Sequence, residues 1–120
     1  IEFIDPLPEN RKYIDFLFEI AERGNGCEIL MAVLPCMLSY SYIFRKLAGE
    51  LESRKSKYWD FIQDYADDRY AEGCKEWCDF ADRRGGSLSE ADQKKLGSIF
   101  EKAGYLELDF WNMAYRRKKA

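Results

Sequence analysis

The stretch with the most chemical potential in this sequence sets a cysteine directly after a proline and one helical turn before a tyrosine: Leu34-Pro35-Cys36-Met37-Leu38-Ser39-Tyr40. Residues four apart on a helix share a face, so Cys36 and Tyr40 are expected to point the same way, with Ile43 and Leu47 continuing the stripe. Proline cannot donate a backbone hydrogen bond. A helix running through Pro35 is therefore expected to kink and to leave the carbonyl of Met31 without its usual partner. A thiol beside a kink can act as a nucleophile if its thiolate is favoured by a helix end, a substrate nitrogen or a carboxylate relay. It can equally be a small buried side chain, since cysteine is often buried for packing alone.

Glu107 is the second candidate, because its neighbours at helical spacing, Ala103, Phe110 and Trp111, are apolar. A carboxyl in such a setting loses hydration, which favours the protonated form that a general acid needs. The alternative is a glutamate in the first turn of its helix that complements the dipole, with Leu106 and Leu108 taking the buried direction. Tyr40 and Tyr65 are hydroxyl donors on one reading and aromatic filler on the other, in a chain with eight tyrosines.

The chain has 120 residues and no histidine. That absence removes cysteine-histidine and serine-histidine catalysis, two-His zinc sites and Glu-x-x-His di-metal bundles. The four cysteines, at 27, 36, 74 and 78, lack the density of a disulfide scaffold and read as reduced thiols. Cys74 and Cys78 lie four apart, but two ligands on one helix fall short of a zinc site, and they read as core. Lys plus Arg number 19 against 22 Asp plus Glu, a balance that gives no reason to expect nucleic-acid binding. The basic run Arg116 to Lys119 closes a predicted helix, where positive charge suits the dipole. No apolar run is expected to reach the ~20 residues of a membrane span, and Glu2 and Asp5 interrupt the only candidate leader. The chain begins at Ile1-Glu2-Phe3 without methionine and reads as a piece of something longer.

The elements that must position these residues read as helices throughout, an all-α class with no strand-like alternation and no repeat. Residues 1 to 8 form a lead-in strap, and a first helix from Glu9 or Asn10 carries Tyr13, Phe16, Leu17 and Ile20 to a stop at Gly24-Asn25-Gly26. The second runs from Cys27 to Ala48. Its apolar residues lie almost all round between 29 and 38, which predicts burial in the middle of a bundle. Glu50 to Lys57 reads as an exposed connection. A short helix follows with Tyr58, Phe61, Ile62 and Tyr65 inward. Asp67 or Asp68 caps the next helix, which carries Tyr70, Ala71, Cys74, Trp77, Cys78 and Ala81 inward until Gly85-Gly86. Ser87-Leu88-Ser89-Glu90 reads as a capping box. The stripe Leu96, Ile99, Phe100 and Ala103 is expected to stop at Gly104, and a last helix runs from Tyr105 to about Lys118 with Glu107, Phe110, Trp111 and Ala114 on one face.

Taken together, Leu34-Pro35-Cys36 followed by Tyr40, Tyr58-x-x-Phe61-Ile62-x-x-Tyr65, and Glu107-x-x-Phe110-Trp111-x-Met113-Ala114 resemble the TenA family, known as thiaminase II or aminopyrimidine aminohydrolase. Pro8-x-Asn10 and Tyr13 fit the same pattern. The resemblance implies a heme-oxygenase-like helical bundle, usually a homotetramer in the cytoplasm, that needs no cofactor or metal and acts in salvage of the thiamin pyrimidine. Family members hydrolyse 4-amino-5-aminomethyl-2-methylpyrimidine to the hydroxymethyl compound, and many also cleave thiamin. On this likeness Cys36 is the nucleophile, Tyr40 a hydroxyl on the same face, Tyr65 a second tyrosine lining the pyrimidine, and Glu107 the acid/base that meets the substrate's nitrogens. The partners implied are an aminopyrimidine or thiamin and further copies of the chain, with no nucleic acid and no membrane. The likeness covers only the C-terminal half of the family domain. The aspartate and stacking aromatic of the upstream half have no counterpart here. The competing reading is a catalytically silent helical module that binds a pyrimidine or regulates another protein.

Overall fold

The computed structural model describes residues 4–119, with side chains through Arg116. Residues 1–3 of the expected strap, and all of the closing basic run except Arg116, lie outside the described side chains. Six helices follow in order: α1 (Pro8–Arg23), α2 (Gly26–Ala48), α3 (Leu51–Arg54), α4 (Trp59–Ala66), α5 (Asp68–Gly86) and α6 (Glu90–Lys119). The described residues contain no strand, so the all-α class holds. They divide into two compact units, one made of the chain up to Pro35 together with that from Leu88 onward, the other of Cys36–Ser87.

In the first unit α1 starts where proline is tolerated best, at its first position, where the missing N–H is one no helical carbonyl would receive. It ends at Gly24, whose N–H donates to the Ile20 carbonyl at 2.7 Å. A Cβ on Gly24 would lie 2.6 Å from that oxygen, so the close approach itself demands glycine. The next residue, Asn25, starts α2 by accepting the Glu28 N–H at 2.9 Å. Phe16, Ala32, Ile99, Ala103 and Leu106 then form the core, with Tyr13, Leu17, Ile20 and Met31 packed against it. Two ion pairs tie its helices at the edge, Glu28 with Lys95 at 3.5 Å and Glu9 with Arg116 at 2.6 Å.

The second unit packs the rest of α2 with α3, α4 and α5 around Phe44, Ile62 and Cys74. Asp67 caps α5 as expected, its carboxylate accepting the Arg69 N–H at 2.7 Å. The pair with Arg69 holds the Asp67 carboxyl below its usual range. Four aromatic rings, Tyr40, Phe44, Phe61 and Tyr65, meet at centroid distances of 5.1 to 5.4 Å, spacings at which tilted and edge-on pairs are favourable.

Several expectations are corrected. Gly104 does not stop a helix: α6 is one element of 30 residues. Glycine lowers helix stability by about 1 kcal/mol relative to alanine, but that cost alone does not end a helix: the backbone must leave helical dihedrals, as it does in the extended conformation of Gly24 and does not at Gly104. Glu107 therefore sits mid-helix, and the reading in which it merely complements an N-terminal dipole falls. The charged connection 50–57 contains α3, whose Ser53 is buried. The residue that caps α6 is Ser89, accepting the Asp92 N–H at 3.1 Å, whereas Ser87 donates its hydroxyl back to the Arg84 carbonyl.

Periodicity located apolar faces but overstated their cover. Tyr58 is 60% exposed, Phe61 50% and Trp77 47%. Ile29 and Val33 are exposed too, so α2 is not buried all round, although Leu30, Ala32 and Leu34 are buried. Contrary to expectation, α2 is also long and apolar enough to span a membrane, with mean hydropathy 1.6 in its best window. Of its apolar residues Ala32 lies in the first unit's core and Phe44 in the second's, while Ile29, Val33, Tyr42 and Leu47 are exposed.

Candidate active site

The residues singled out from the sequence fall into two constellations, one in each unit. In the second unit Cys36 and Tyr40 lie on α2, which continues unbroken in helical pattern through Pro35. Cys36 is half-buried, and all four cysteines are thiols rather than half-cystines. The hydroxyl of Ser39 donates to the Cys36 carbonyl at 3.0 Å. The ring of Tyr40 meets that of Tyr65 edge-on, centroids 5.1 Å apart. The structure thus brings Tyr40 and Tyr65 together.

It adds a residue that sequence reasoning had left in a core stripe. Tyr70 meets Tyr65 edge-on at 5.2 Å, and its hydroxyl donates to the Met37 carbonyl at 3.2 Å. Burial first, then the negative charge that Cys74, Cys36, Tyr65 and Tyr40 would carry, pushes the Tyr70 phenol up to about 12. Cys74 also points at the Met37 carbonyl, Sγ 3.7 Å away. Its thiol is pushed up by burial and by Cys78. Both are free thiols, Cys74 buried and Cys78 half-buried. Among the described residues no group of three His, Cys, Asp or Glu side chains could hold a metal ion.

In the first unit Glu107 is only 5% exposed. The Tyr13 hydroxyl donates to its Oε2 at 2.7 Å and the Trp111 indole N–H to its Oε1 at 3.2 Å. The carboxylate is thereby fixed from two helices, α1 and its own. Trp111 was legible, since a residue four positions on lies over the same face. The role of Tyr13 was not, because nothing local links it to a carboxylate 94 residues away. On the expected face Phe110 and Trp111 are half-buried, but Ala114 is exposed and Met113 is the buried residue.

Chemically the two constellations offer different things. The second unit supplies a half-buried thiol one helical turn from Tyr40, with Tyr70 held in its neutral, donating form. The first supplies a carboxylate withdrawn from bulk water and held in one orientation by a phenol and an indole.

Comparison with known proteins gives these groups a context. The chain matches the model of the TENA/THI-4/PQQC family over residues 1–117. It is 33% identical over 119 residues to the aminopyrimidine aminohydrolase of Halalkalibacterium halodurans, covering 98% of this chain and 53% of that protein. Against the aminopyrimidine aminohydrolase of Bacillus subtilis the identity is 28% over 113 residues, 94% of this chain and 48% of that protein. A hydroxymethylpyrimidine/phosphomethylpyrimidine kinase of Saccharomyces cerevisiae is 24% identical over 108 residues, 89% of this chain but 20% of the kinase. The chain spans about half the length of the two aminohydrolases.

Proposed function

This chain belongs to the TENA/THI-4/PQQC family, and on that premise we propose that it is part of a hydrolase of thiamin-derived aminopyrimidines, with Cys36 as nucleophile and Glu107 as general acid/base. The observation that carries the reading is the setting of Glu107, a buried carboxylate with both oxygens receiving hydrogen bonds from residues fixed by packing. A glutamate with no task rarely occupies such a place, because desolvating it is costly. The names of the two aminohydrolase relatives supply the substrate class.

The chemistry balances without histidine or metal. The Cys36 thiolate adds to the electron-poor pyrimidine carbon next to the one bearing the aminomethyl group, and the ring takes up the electron pair. That pair expels the amine as Glu107 gives it a proton, so ammonia leaves and an exocyclic methylene remains. Water adds to this methylene and returns a proton to Glu107. The carbon–sulfur bond then breaks, restoring the aromatic ring, the thiolate and the hydroxymethyl product. Tyr40 and Tyr65 are assigned to the pyrimidine as hydroxyl donor and aromatic wall. Thiamin presents the same ring with a different leaving group and is the second substrate proposed.

That the chain spans about half of each aminohydrolase supports placing it as one half of the catalytic domain, and we assign it the C-terminal half. The test is ammonia release from 4-amino-5-aminomethyl-2-methylpyrimidine by the full-length protein. Cys36→Ser and Glu107→Gln are each expected to lower kcat by 10²-fold or more, the range of acid–base and nucleophilic contributions. Unchanged turnover in Cys36→Ser would overturn the nucleophile assignment. A folded wild-type protein that binds the pyrimidine without turning it over would be a binding module, with Cys36 as packing.

A further inference from the structure

We propose that Tyr70 is a positioning residue for the proposed nucleophile: from α5 it fixes, through its hydroxyl on the Met37 carbonyl and its ring against Tyr65, the helical turn that carries Cys36 and Tyr40. The inference rests on the reading of Cys36 given above.

A proline inside a helix, such as Pro35, removes the N–H that would hold the carbonyl four residues earlier, so the turn leading into Cys36 has one backbone tie fewer than an ordinary turn. Side chains supply ties immediately downstream. Ser39 Oγ donates to the Cys36 carbonyl at 3.0 Å, and the Met37 carbonyl receives both the Tyr70 hydroxyl at 3.2 Å and the Cys74 thiol at 3.7 Å. Two of these three donors come from α5, at positions 70 and 74, one helical turn apart. The weak helical turn is thus braced from a neighbouring helix at the residue next to the thiol.

The ring of Tyr70 does a second job. It meets Tyr65 at 82° and 5.2 Å, and Tyr65 meets Tyr40 at 72° and 5.1 Å, so the three phenols form a chain from α5 through α4 back to α2. Rotating any one of them disturbs the others. Because burial and the neighbouring acidic groups hold the Tyr70 phenol near 12, it remains a hydrogen-bond donor throughout the working range of a hydrolase. A phenol that stays protonated over that range is suited to holding a carbonyl, and its hydroxyl is already engaged with the Met37 carbonyl, so the role is positioning rather than acid–base.

The experiment compares the full-length wild type with Tyr70→Phe, which keeps the ring and loses the hydroxyl. It measures kcat and KM for the aminomethylpyrimidine, the rate of iodoacetamide labelling at each cysteine by peptide mapping, and the thermal midpoint. A small displacement of a reacting group lowers the rate without weakening binding. Expected for Tyr70→Phe are a kcat reduced on the order of 10-fold, a KM within about twofold, and a labelling rate altered at Cys36 but not at Cys27. 3-Fluorotyrosine at position 70, which retains ring and hydroxyl, is expected to restore both readouts. Native kcat with native labelling of Cys36 overturns the proposal. So does a change that raises the labelling of all four cysteines together, or a chain that fails to fold, since each makes Tyr70 a general support of the fold. If the wild type itself turns over no aminopyrimidine, the functional reading fails separately, and selective relabelling of Cys36 still decides whether Tyr70 controls that turn.

Discussion

The contact that most directly tests how Glu107 is held is the 2.7 Å hydrogen bond from the Tyr13 hydroxyl, which joins α1 to α6. Tyr13→Phe deletes one oxygen and leaves the ring in the core. The distance is that of a well-formed hydroxyl hydrogen bond, and leaving a buried acceptor without its donor costs about 1–3 kcal/mol. With Glu107 5% exposed, water cannot readily replace the lost donor, so a loss of about 2 kcal/mol is expected. At a urea dependence of about 2 kcal/mol per molar, the midpoint moves down by about 1 M. The assay is urea unfolding of the wild type, Tyr13→Phe, Glu107→Gln and the double variant, read as a cycle. If the two side chains act on each other, the double variant costs less than the sum of the singles by about 1–2 kcal/mol. Additivity within about 0.5 kcal/mol would refute the reasoning, because it would mean that Tyr13 stabilises the unit by packing alone and that Glu107 is held by something else.

The glycines and the alkaline limb give two further checks. Gly24→Ala is expected to destabilise by more than 1 kcal/mol, since its Cβ would lie 2.6 Å from the Ile20 carbonyl oxygen, whereas Gly104→Ala, with nothing within 4 Å, is expected to gain up to ~1 kcal/mol of helix propensity; thermal unfolding of both variants checks the contrasting signs. The Tyr70 phenol is raised from 10.0 to about 12 in the folded chain. Between those values the unfolded state has lost a proton that the folded state keeps, so this group's contribution to stability is complete below pH 10 and drains away as pH rises toward 12. Unfolding free energies at pH 9 and 11.5 are expected to fall more steeply in the wild type than in Tyr70→Phe, and equal slopes would show that the phenol ionises alike in both states.

What the sequence disclosed and what it hid divide along the range of the interactions. Gly24 and Asp67 act on backbone groups within a few residues, so the end of α1 and the start of α5 could be read directly, whereas Pro8, expected to close the strap, is the first residue of α1. Glu107 with Trp111, a pair set by one helical turn, was legible in the same way. Gly104 misled because a glycine signals an end only through the dihedral it adopts, and residue type alone does not report that. Tyr58, Phe61 and Trp77 misled because periodicity shows that a face is apolar, not that anything lies on it. The long-range contacts of Tyr13 and Tyr70 could not be read for a simpler reason. Each reaches its partner across the fold, Tyr13 to a carboxylate on α6 and Tyr70 to a carbonyl on α2, and neither sequence neighbourhood contains a trace of the other.

The absence of histidine then becomes informative about where protons go. A cysteine nucleophile ordinarily borrows a base from a neighbouring side chain. The acidic groups that α5 brings to this turn, Tyr70 and Cys74, are both pushed toward their neutral forms by burial, so they can donate hydrogen bonds but cannot take the Cys36 proton. In the proposed reaction a substrate nitrogen is the acceptor that this reading assigns. If the substrate takes the proton, alkylation of Cys36 in the substrate-free protein is slow and a non-reactive pyrimidine analogue accelerates it. Labelling indifferent to the analogue would overturn that assignment of the base.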